Sequence, residues 1–340
     1  MGGIWAGFNG FLRSIIDIIY NLVKSHGWSV VLFTLLIRVV LLPFDVRSRQ
    51  SMRRMASLNP KIQALQKKYG NDKEKLQQKQ AELYKKEKVN PMASCLPMLL
   101  TLPVLYAMFA VMRLVANEQL AMMLLRIQQA VSTLTDPVQI NAAIQGLLDS
   151  GVLRFERWLW IKNLWMADSP FASVLPLNAS GLSGLPVIAG ILDQEGLASL
   201  KAFVDTGAYG EVLKFFNAVT MPGVSLNLLI TKLDIFKNPN GYFILPIVAA
   251  LSQYLSTLLQ PMDAQNAQNA QGQQQAGTGQ IMKYFFPLFS LWICSTSTSA
   301  FALYWVVANI IQIVEQVVLN WYFDKQDKKN AAAAKEGTTP

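Results

Sequence analysis

Arg38 stands inside the apolar run Trp28-Ser-Val-Val-Leu-Phe-Thr-Leu-Leu-Ile-Arg38-Val-Val-Leu-Leu-Pro43, with Thr34 one helical turn before it. A guanidinium is always charged and offers five donors in a fixed fork, so its natural partners are carboxylates and phosphates. Near the centre of a membrane-spanning helix such a charge costs about 2.5–3.5 kcal/mol, and it persists where it faces protein, a water-filled cavity or the nearer headgroups. Snorkelling is the simple alternative, because Pro43 follows closely and five residues rise only about 7.5 Å. Two further polar sets bear on the choice. Gln253, Ser256, Thr257 and Gln260 fall within about 100° of arc on one helix, and Asn309, Gln312, Glu315 and Gln316 within about 120° on another. Each amide alone would serve as an interhelical hydrogen bond worth roughly 0.6–2 kcal/mol. Three apolar helices with polar faces cannot all turn those faces to lipid, however, so the faces are expected to converge on a hydrated cavity with Arg38 in it.

Other chemistry finds little footing. His26 is the only histidine, so a histidine-based metal site or triad is not expected. Cys95 and Cys294 both lie in apolar runs and read as packing residues. Gly181-Leu-Ser-Gly184 resembles the serine motif of rhomboid-like proteases, but it falls in a loop, and His26 lies outside any span, so no base is within reach. No catalytic residue, metal or cofactor is expected. A polytopic transporter with a hydrated substrate cavity is the alternative reading of the polar stripes, although no inverted repeat accompanies them.

The elements that must position these residues follow from composition. The chain has 340 residues, 52% of them hydrophobic, and a mean hydropathy of +0.28, more apolar than a soluble domain. Of its net charge of +9, residues 45–90 carry +8, and the positive-inside rule places that segment in the cytoplasm. An external amphipathic helix lying in the interface is expected over 1–26, where Ile4 to Val23 carry apolar residues at helical spacing. The start lacks the pattern of a cleavable signal peptide. The first span is expected over 27–44, anchored by Trp28. Its 16 residues from Trp28 to Pro43 rise about 24 Å, which is short for a bilayer and favours local thinning or polar neighbours.

Residues 45–92 read as a basic cytoplasmic helical hairpin. Met52, Met55, Leu58, Ile62, Leu65 and Tyr69 recur at helical steps, Asn59-Pro60 reads as a cap and first-turn proline, and Gly70-Asn71-Asp72 as a turn. Its Arg53, Arg54, Lys61, Lys67, Lys68, Lys85 and Lys86 serve either as a solvated face or as contacts to anionic headgroups or ribosomal RNA. A second span over 93–113 carries Pro97 and Pro103, and an external region over 114–240, net −2, looks helical at 118–135 and 195–218. Trp158, Trp160 and Trp165 mark a return to the outer interface. A third span is expected over 241–260 and a flexible Asn/Gln-rich cytoplasmic loop over 261–282. From Tyr284 to Tyr322 the only charge is Glu315, and the stretch is too long for one helix, so it is divided near Thr296–Ser299 into a fourth span (283–296) and a fifth (299–322). The tail 323–340 is expected to be disordered and cytoplasmic. The fold class is therefore all-α, with five transmembrane helices whose polar faces converge on a hydrated cavity, the N-terminus outside and the C-terminus inside.

Several stretches resemble the YidC family of membrane protein insertases. These are Arg38-Val-Val-Leu-Leu-Pro43, Met52-Arg-Arg-Met-Ala-Ser-Leu-Asn-Pro60, Tyr84-Lys-Lys-Glu-Lys-Val-Asn-Pro91, Cys95-Leu-Pro-Met98, Leu159-Trp-Ile-Lys-Asn-Leu-Trp165, Lys283-Tyr-Phe-Phe-Pro287 and Leu303-Tyr-Trp-Val-Val-Ala-Asn309. The likeness covers 4–115, 154–170 and 240–323, and leaves 171–239 as an external insertion. It implies that the five helices enclose a hydrophilic groove open to the cytoplasm and the lipid, in which Arg38 attracts acidic residues in the hydrophilic tail of an incoming membrane protein. The client's apolar segment would slide along the third and fifth spans, with Thr34, Gln253, Ser256, Thr257, Asn309, Gln312 and Glu315 lining the way. It further implies a bacterial plasma-membrane location, nascent membrane proteins as clients, the ribosome, a Sec-type translocon and anionic lipids as partners, no small-molecule substrate, and work as a monomer. The chain departs from the family pattern in Cys294-Ser-Thr-Ser-Thr-Ser-Ala300, which stands where a proline-glycine turn is usual, and in Glu315, where a glutamine is usual.

Overall fold

A computed structural model describes residues 2–87, 96–218, 220–227, 232–259 and 276–336. Cys95, Asn90-Pro91, Gln260 and most of the expected loop at 261–282 lie outside these residues. The helices are α1 (Gly2–Val23), α2 (His26–Ser57), α3 (Asn59–Tyr69), α4 (Lys73–Lys86), α5 (Leu96–Val131), α6 (Pro137–Asp149), α7 (Gln194–Phe203), α8 (Gly207–Phe215), α9 (Ile244–Leu259), α10 (Ala276–Thr296) and α11 (Ser299–Glu336). Among the described residues, three stretches are long and apolar enough to cross a membrane: His26–Met55, Pro103–Val131 and Ser299–Lys329, with Ile244–Leu259 a shorter apolar helix.

The chain divides into two compact units. The first comprises Met1–Phe33, Ala107–Ala249 and Ser290–Val306. Its core is built by Leu124, Ile127 and Val131 of α5, Ile140 and Ile144 of α6, Leu200 and Phe203 of α7, and Tyr209 and Val212 of α8, all buried. The buried Tyr209 hydroxyl donates to Pro176 O at 2.7 Å, and burial pushes its pKa above the ordinary phenol range. Asp136, Asp193 and Thr206 cap α6, α7 and α8 through their side chains, as short polar residues do at helix starts. In α1, Arg13 forks onto Glu118 of α5 at 2.9 and 2.6 Å. That ion pair gives the Arg13 charge, which falls among the apolar residues of α1, a partner within the protein.

The expected second span and the helix at 118–135 are one 36-residue helix, because no glycine or proline interrupts the chain between Pro103 and Asp136. An antiparallel hairpin of β1 (Thr220–Asn227) and β2 (Lys232–Phe236) is the exception to the all-α expectation. Its register shift falls between Thr220 and Ser225, where Pro222-Gly223 disturbs the ladder. Helix α10 ends at Thr296 and α11 begins at Ser299, a break made without a proline-glycine turn. The Ser299 amide and hydroxyl donate to Met166 O at 2.8 and 2.6 Å, and the Ala300 amide to Leu164 O at 3.0 Å. These bonds satisfy donors that a helix start leaves open. Cys294 is fully buried, as its apolar run suggested.

The second unit comprises Thr34–Tyr106, Ala250–Phe289 and Val307–Pro340. Here α2 continues through Pro43 to Ser57, so the helix does not end at the proline; one lost donor is tolerated where the flanking turns hold. Next, α3 and α4 pack on each other, with Leu58, Ile62 and Leu76 buried. Asn59 is not a cap: α3 begins at it, after Leu58, with Pro60 in its first turn. Asp72 caps α4 by accepting from Lys75 N at 3.0 Å. The tail expected to be disordered is helical as far as Glu336, since Asp324–Glu336 holds no glycine or proline and includes four consecutive alanines.

Candidate functional site

Within the second unit, α2, α9 and α11 show apolar side chains outward and polar ones inward, the reverse of helices in a soluble protein. Exposed side chains include Leu35, Leu36, Val39 and Val40 on α2, Leu251, Leu255 and Leu258 on α9, and Ile310, Val314, Val317 and Trp321 on α11. Buried side chains include Thr34 on α2, Ser252 and Ser256 on α9, and Asn309 and Gln316 on α11. Helical periodicity produces both faces from one sequence: residues at three- and four-residue steps share a side, whatever their polarity.

Arg38 sits at the edge of this polar side, its side chain 16% exposed. Its Nη1 lies 3.9 Å from Glu315 Oε2, and its Nη2 donates to Gln312 Oε1 at 3.4 Å. Both partners come from α11, three residues apart, and so reach the same spot. These are long contacts for a group able to form two short parallel bonds with a carboxylate. The Asn309 amide donates to Ser252 Oγ at 3.3 Å and the Gln316 amide to Ser256 Oγ at 3.1 Å, so α9 and α11 meet through small hydroxyls. The Gln316 carbonyl oxygen and the Ser48 hydroxyl are buried without a hydrogen-bond partner among the described residues, as acceptors and donors are when water serves them. Thr257 donates to its own helix at Gln253 O, 2.9 Å away, and Gln253 is half-buried.

The structure thus brings Arg38, Gln312 and Glu315 together and, across the α9–α11 contact, pairs Asn309 with Ser252 and Ser256 with Gln316. Ser252, Gln316, Asp45 and Arg49 were not singled out as site residues. Serines four residues apart on α9 facing amides seven apart on α11 would have revealed the first pair. Asp45 and Arg49 follow Arg38 by seven and eleven residues, within about 40° of arc on one helix face. Asp45 interacts electrostatically with both arginines, and Glu315 with Arg38, Asp45 and Arg49.

Of the basic set, Arg53 is engaged within the protein. It contacts Asp324 at 2.6 Å, Asp327 at 3.0 Å and the Asn320 carbonyl at 3.3 Å, with its guanidinium 5.2 Å from the Phe323 ring centroid. Lys61 donates to Glu87 at 2.5 Å, and Lys68 lies over the Tyr69 ring. Arg54, Lys67, Lys85 and Lys86 are exposed. No cluster of metal-ligating side chains occurs among the described residues.

In the first unit the tryptophans expected at an interface make specific packing contacts. Trp158 packs edge-to-face on Trp28, with ring centroids 5.9 Å apart, and a Cβ on Gly27 would come within 2.1 Å of it. His26 stacks on Tyr20 and meets Trp165 edge-on. The start of α9 is fixed by Asp168, fully buried, which accepts from the Tyr242 and Leu245 amides at 2.8 and 2.7 Å and from Trp160 Nε1 at 3.2 Å.

Comparison with known proteins locates this arrangement in a family. The profile of the 60Kd inner membrane protein family matches residues 18–194 and 212–327. The chain is 25% identical over 321 residues, 94% of its length, to a protein of Laribacter hongkongensis named membrane protein insertase YidC, and equally similar to one of that name from Azotobacter vinelandii. Over 110 residues it is 44% identical to a Legionella pneumophila protein of the same name, covering 32% of this chain and 20% of that one. The chain spans about a third, 36%, of the Laribacter relative's length. The stretch expected to be an insertion, 171–239, is matched by the family profile through 194 and again from 212, so the unmatched part shrinks to 195–211, most of α7 and the start of α8. With the match running through Arg38, the α9 serines and the α11 amides, the chain belongs to the 60Kd inner membrane protein family.

Proposed function

We propose that this protein is a membrane protein insertase of the bacterial inner membrane, taking hydrophobic segments of newly made proteins from the cytoplasm into the bilayer. The observation that carries the reading is Arg38, a half-buried guanidinium held by long contacts on the polar side of helices whose other sides are apolar and exposed. Such a group attracts carboxylates strongly where the dielectric is low, and its fork has donors to spare. An acidic residue in a client's hydrophilic tail would be drawn toward Arg38 while the client's apolar segment moves along the exposed faces of α9 and α11. Transfer of that segment into hydrocarbon provides the driving free energy, so no hydrolysis is required.

The same reading assigns five spans, adding the 16-residue α9 and the apolar part of α10 to the three longer helices, with the N-terminus outside. The α3–α4 hairpin then stands in the cytoplasm, where exposed Arg54, Lys67, Lys85 and Lys86 meet anionic lipids or ribosomal RNA near the point of client arrival. Clients come from the ribosome with or beside a Sec-type translocon, and one copy of the chain suffices.

The test is insertion of a single-span client with an acidic tail into membranes depleted of other insertases. Arg38→Ala is expected to reduce insertion about tenfold, a 1.4 kcal/mol loss, and Arg38→Lys to retain more because charge survives the loss of the fork. Insertion by Arg38→Ala at the wild-type level would overturn the mechanism.

A further inference from the structure

We propose that Glu315 is a resident counter-ion of Arg38 that sets client selectivity, so that a client tail must carry more than one acidic residue to displace it efficiently. The inference rests on the insertase reading of the same site and adds a selectivity device to it.

The geometry has two parts. First, Arg38 already has a carboxylate: Glu315 Oε2 is 3.9 Å from Nη1, both side chains are largely buried at 16% and 12% exposure, and both belong to the second unit. Second, the pair does not stand alone. Arg38, Asp45 and Arg49 form one stripe of α2, and Asp45 and Glu315 both interact with the two arginines. Two guanidiniums and two carboxylates make a cluster of zero formal charge, where a lone arginine would present +1. A single incoming carboxylate therefore meets Glu315 as a like-charged competitor at the position it seeks.

The competitor is nevertheless displaceable. At 3.9 Å, Glu315 makes an ion pair but no hydrogen bond, and Gln312 supplies only one long bond at 3.4 Å. A client carboxylate able to approach the fork side-on would form two bonds near 2.8 Å and outcompete the resident partner. A second acidic residue raises the local concentration of such groups and repels Glu315 further. Glu315 thus acts as a threshold, turning a general carboxylate attractor into one that favours tails with repeated acids.

The experiment uses the full chain reconstituted in vesicles of phosphatidylethanolamine and phosphatidylglycerol, and a single-span client whose tail carries no, one or two aspartates. The readout is the insertion ratio of the one-aspartate to the two-aspartate client. Glu315→Gln, nearly isosteric, is expected to raise this ratio about threefold, on the scale of a partly exposed ion pair, and Glu315→Asp to keep it near wild type. If Glu315→Gln fails to accumulate, Glu315→Ala provides the same comparison. A ratio unchanged by loss of the carboxylate, while Arg38→Ala abolishes the preference for acidic tails, overturns the counter-ion role and leaves the insertase reading standing. A ratio shifted equally by Asp and Gln overturns it as well, since shape and not charge would then be responsible. An acid preference that survives Arg38→Ala removes the charge mechanism itself and the threshold with it.

Discussion

The Asp168 cluster and the Arg38 cluster are built from the same kinds of group and behave oppositely. Around Asp168 every acceptor is used: the carboxylate takes two backbone amides at 2.8 and 2.7 Å and an indole at 3.2 Å, while Asn163 and Asn240 exchange bonds of 2.8 and 2.9 Å. Asp168, Asn163 and Asn240 are completely buried. Around Arg38 the contacts are 3.4 and 3.9 Å, and the nearby amide of Gln316 leaves its carbonyl oxygen without a partner among the described residues. A saturated buried network fixes backbone geometry, because each partner lost strands the others without water. An unsaturated, partly exposed one retains capacity for a visitor. The difference lies in satisfaction and not in residue type.

Breaking the saturated cluster should have the largest effect. Asp168→Ala strands two amides and an indole at the start of α9, and a loss of about 3–5 kcal/mol is expected, read as a fall in folded, membrane-integrated protein and in Tm. Asp168→Asn, which keeps one acceptor, should lose less. If Asp168→Ala melts within a degree or two of wild type, the contrast between the clusters collapses.

An opposite outcome is expected at the α9–α11 contact. Gln316→Leu removes an amide whose oxygen is unpartnered, and the Ser256 hydroxyl left behind can bond back to its own helix. Stability should change by no more than about 1 kcal/mol, in either direction, because replacing an incompletely satisfied buried polar group by an apolar one is often neutral, whereas client insertion should fall. Thermal melts beside insertion assays separate the two quantities, and a large destabilisation would place Gln316 with the structural network.

The smallest effect is at the exposed hairpin. Hydrogen bonding to Lys61, and then its charge, hold the Glu87 carboxyl below its ordinary range. A carboxylate depressed in the folded state contributes above its unfolded pKa and loses that contribution as pH falls through the folded value. The α3–α4 contact should therefore be equally protected at pH 7 and pH 6 and loosen slightly below about pH 4, as amide hydrogen exchange at residues 61–87 would register. Glu87→Gln should remove that pH dependence.

Much of this was legible in the chain. Arg38 and the amides of α11 are visible because a charge or amide in an apolar run is costly, and cost marks position. The helical spacing from Met55 to Tyr69 and the need to break the long apolar stretch before Ser299 are also readable from apolar period and length. Local pattern failed where a distant partner decides. Pro43 reads as a stop, yet α2 passes through it. Asn59 reads as a cap, yet the helix starts on it. Arg53 reads as a surface cation, yet it binds Asp324 and Asp327. No spacing rule joins positions some 270 residues apart.

By itself, then, the sequence determined which faces of α2, α9 and α11 are polar, because helical periodicity is a property of the chain alone. It also marked Arg38 as a charge in need of a reason. Only the tertiary structure decided which polar groups meet, how closely, and how fully each is satisfied. It set Glu315 rather than solvent beside Arg38, left that contact long, and closed every bond around Asp168. Those outcomes depend on the packing of elements remote in sequence, and a difference of one ångström between a hydrogen bond and a bare ion pair is not encoded in any local pattern.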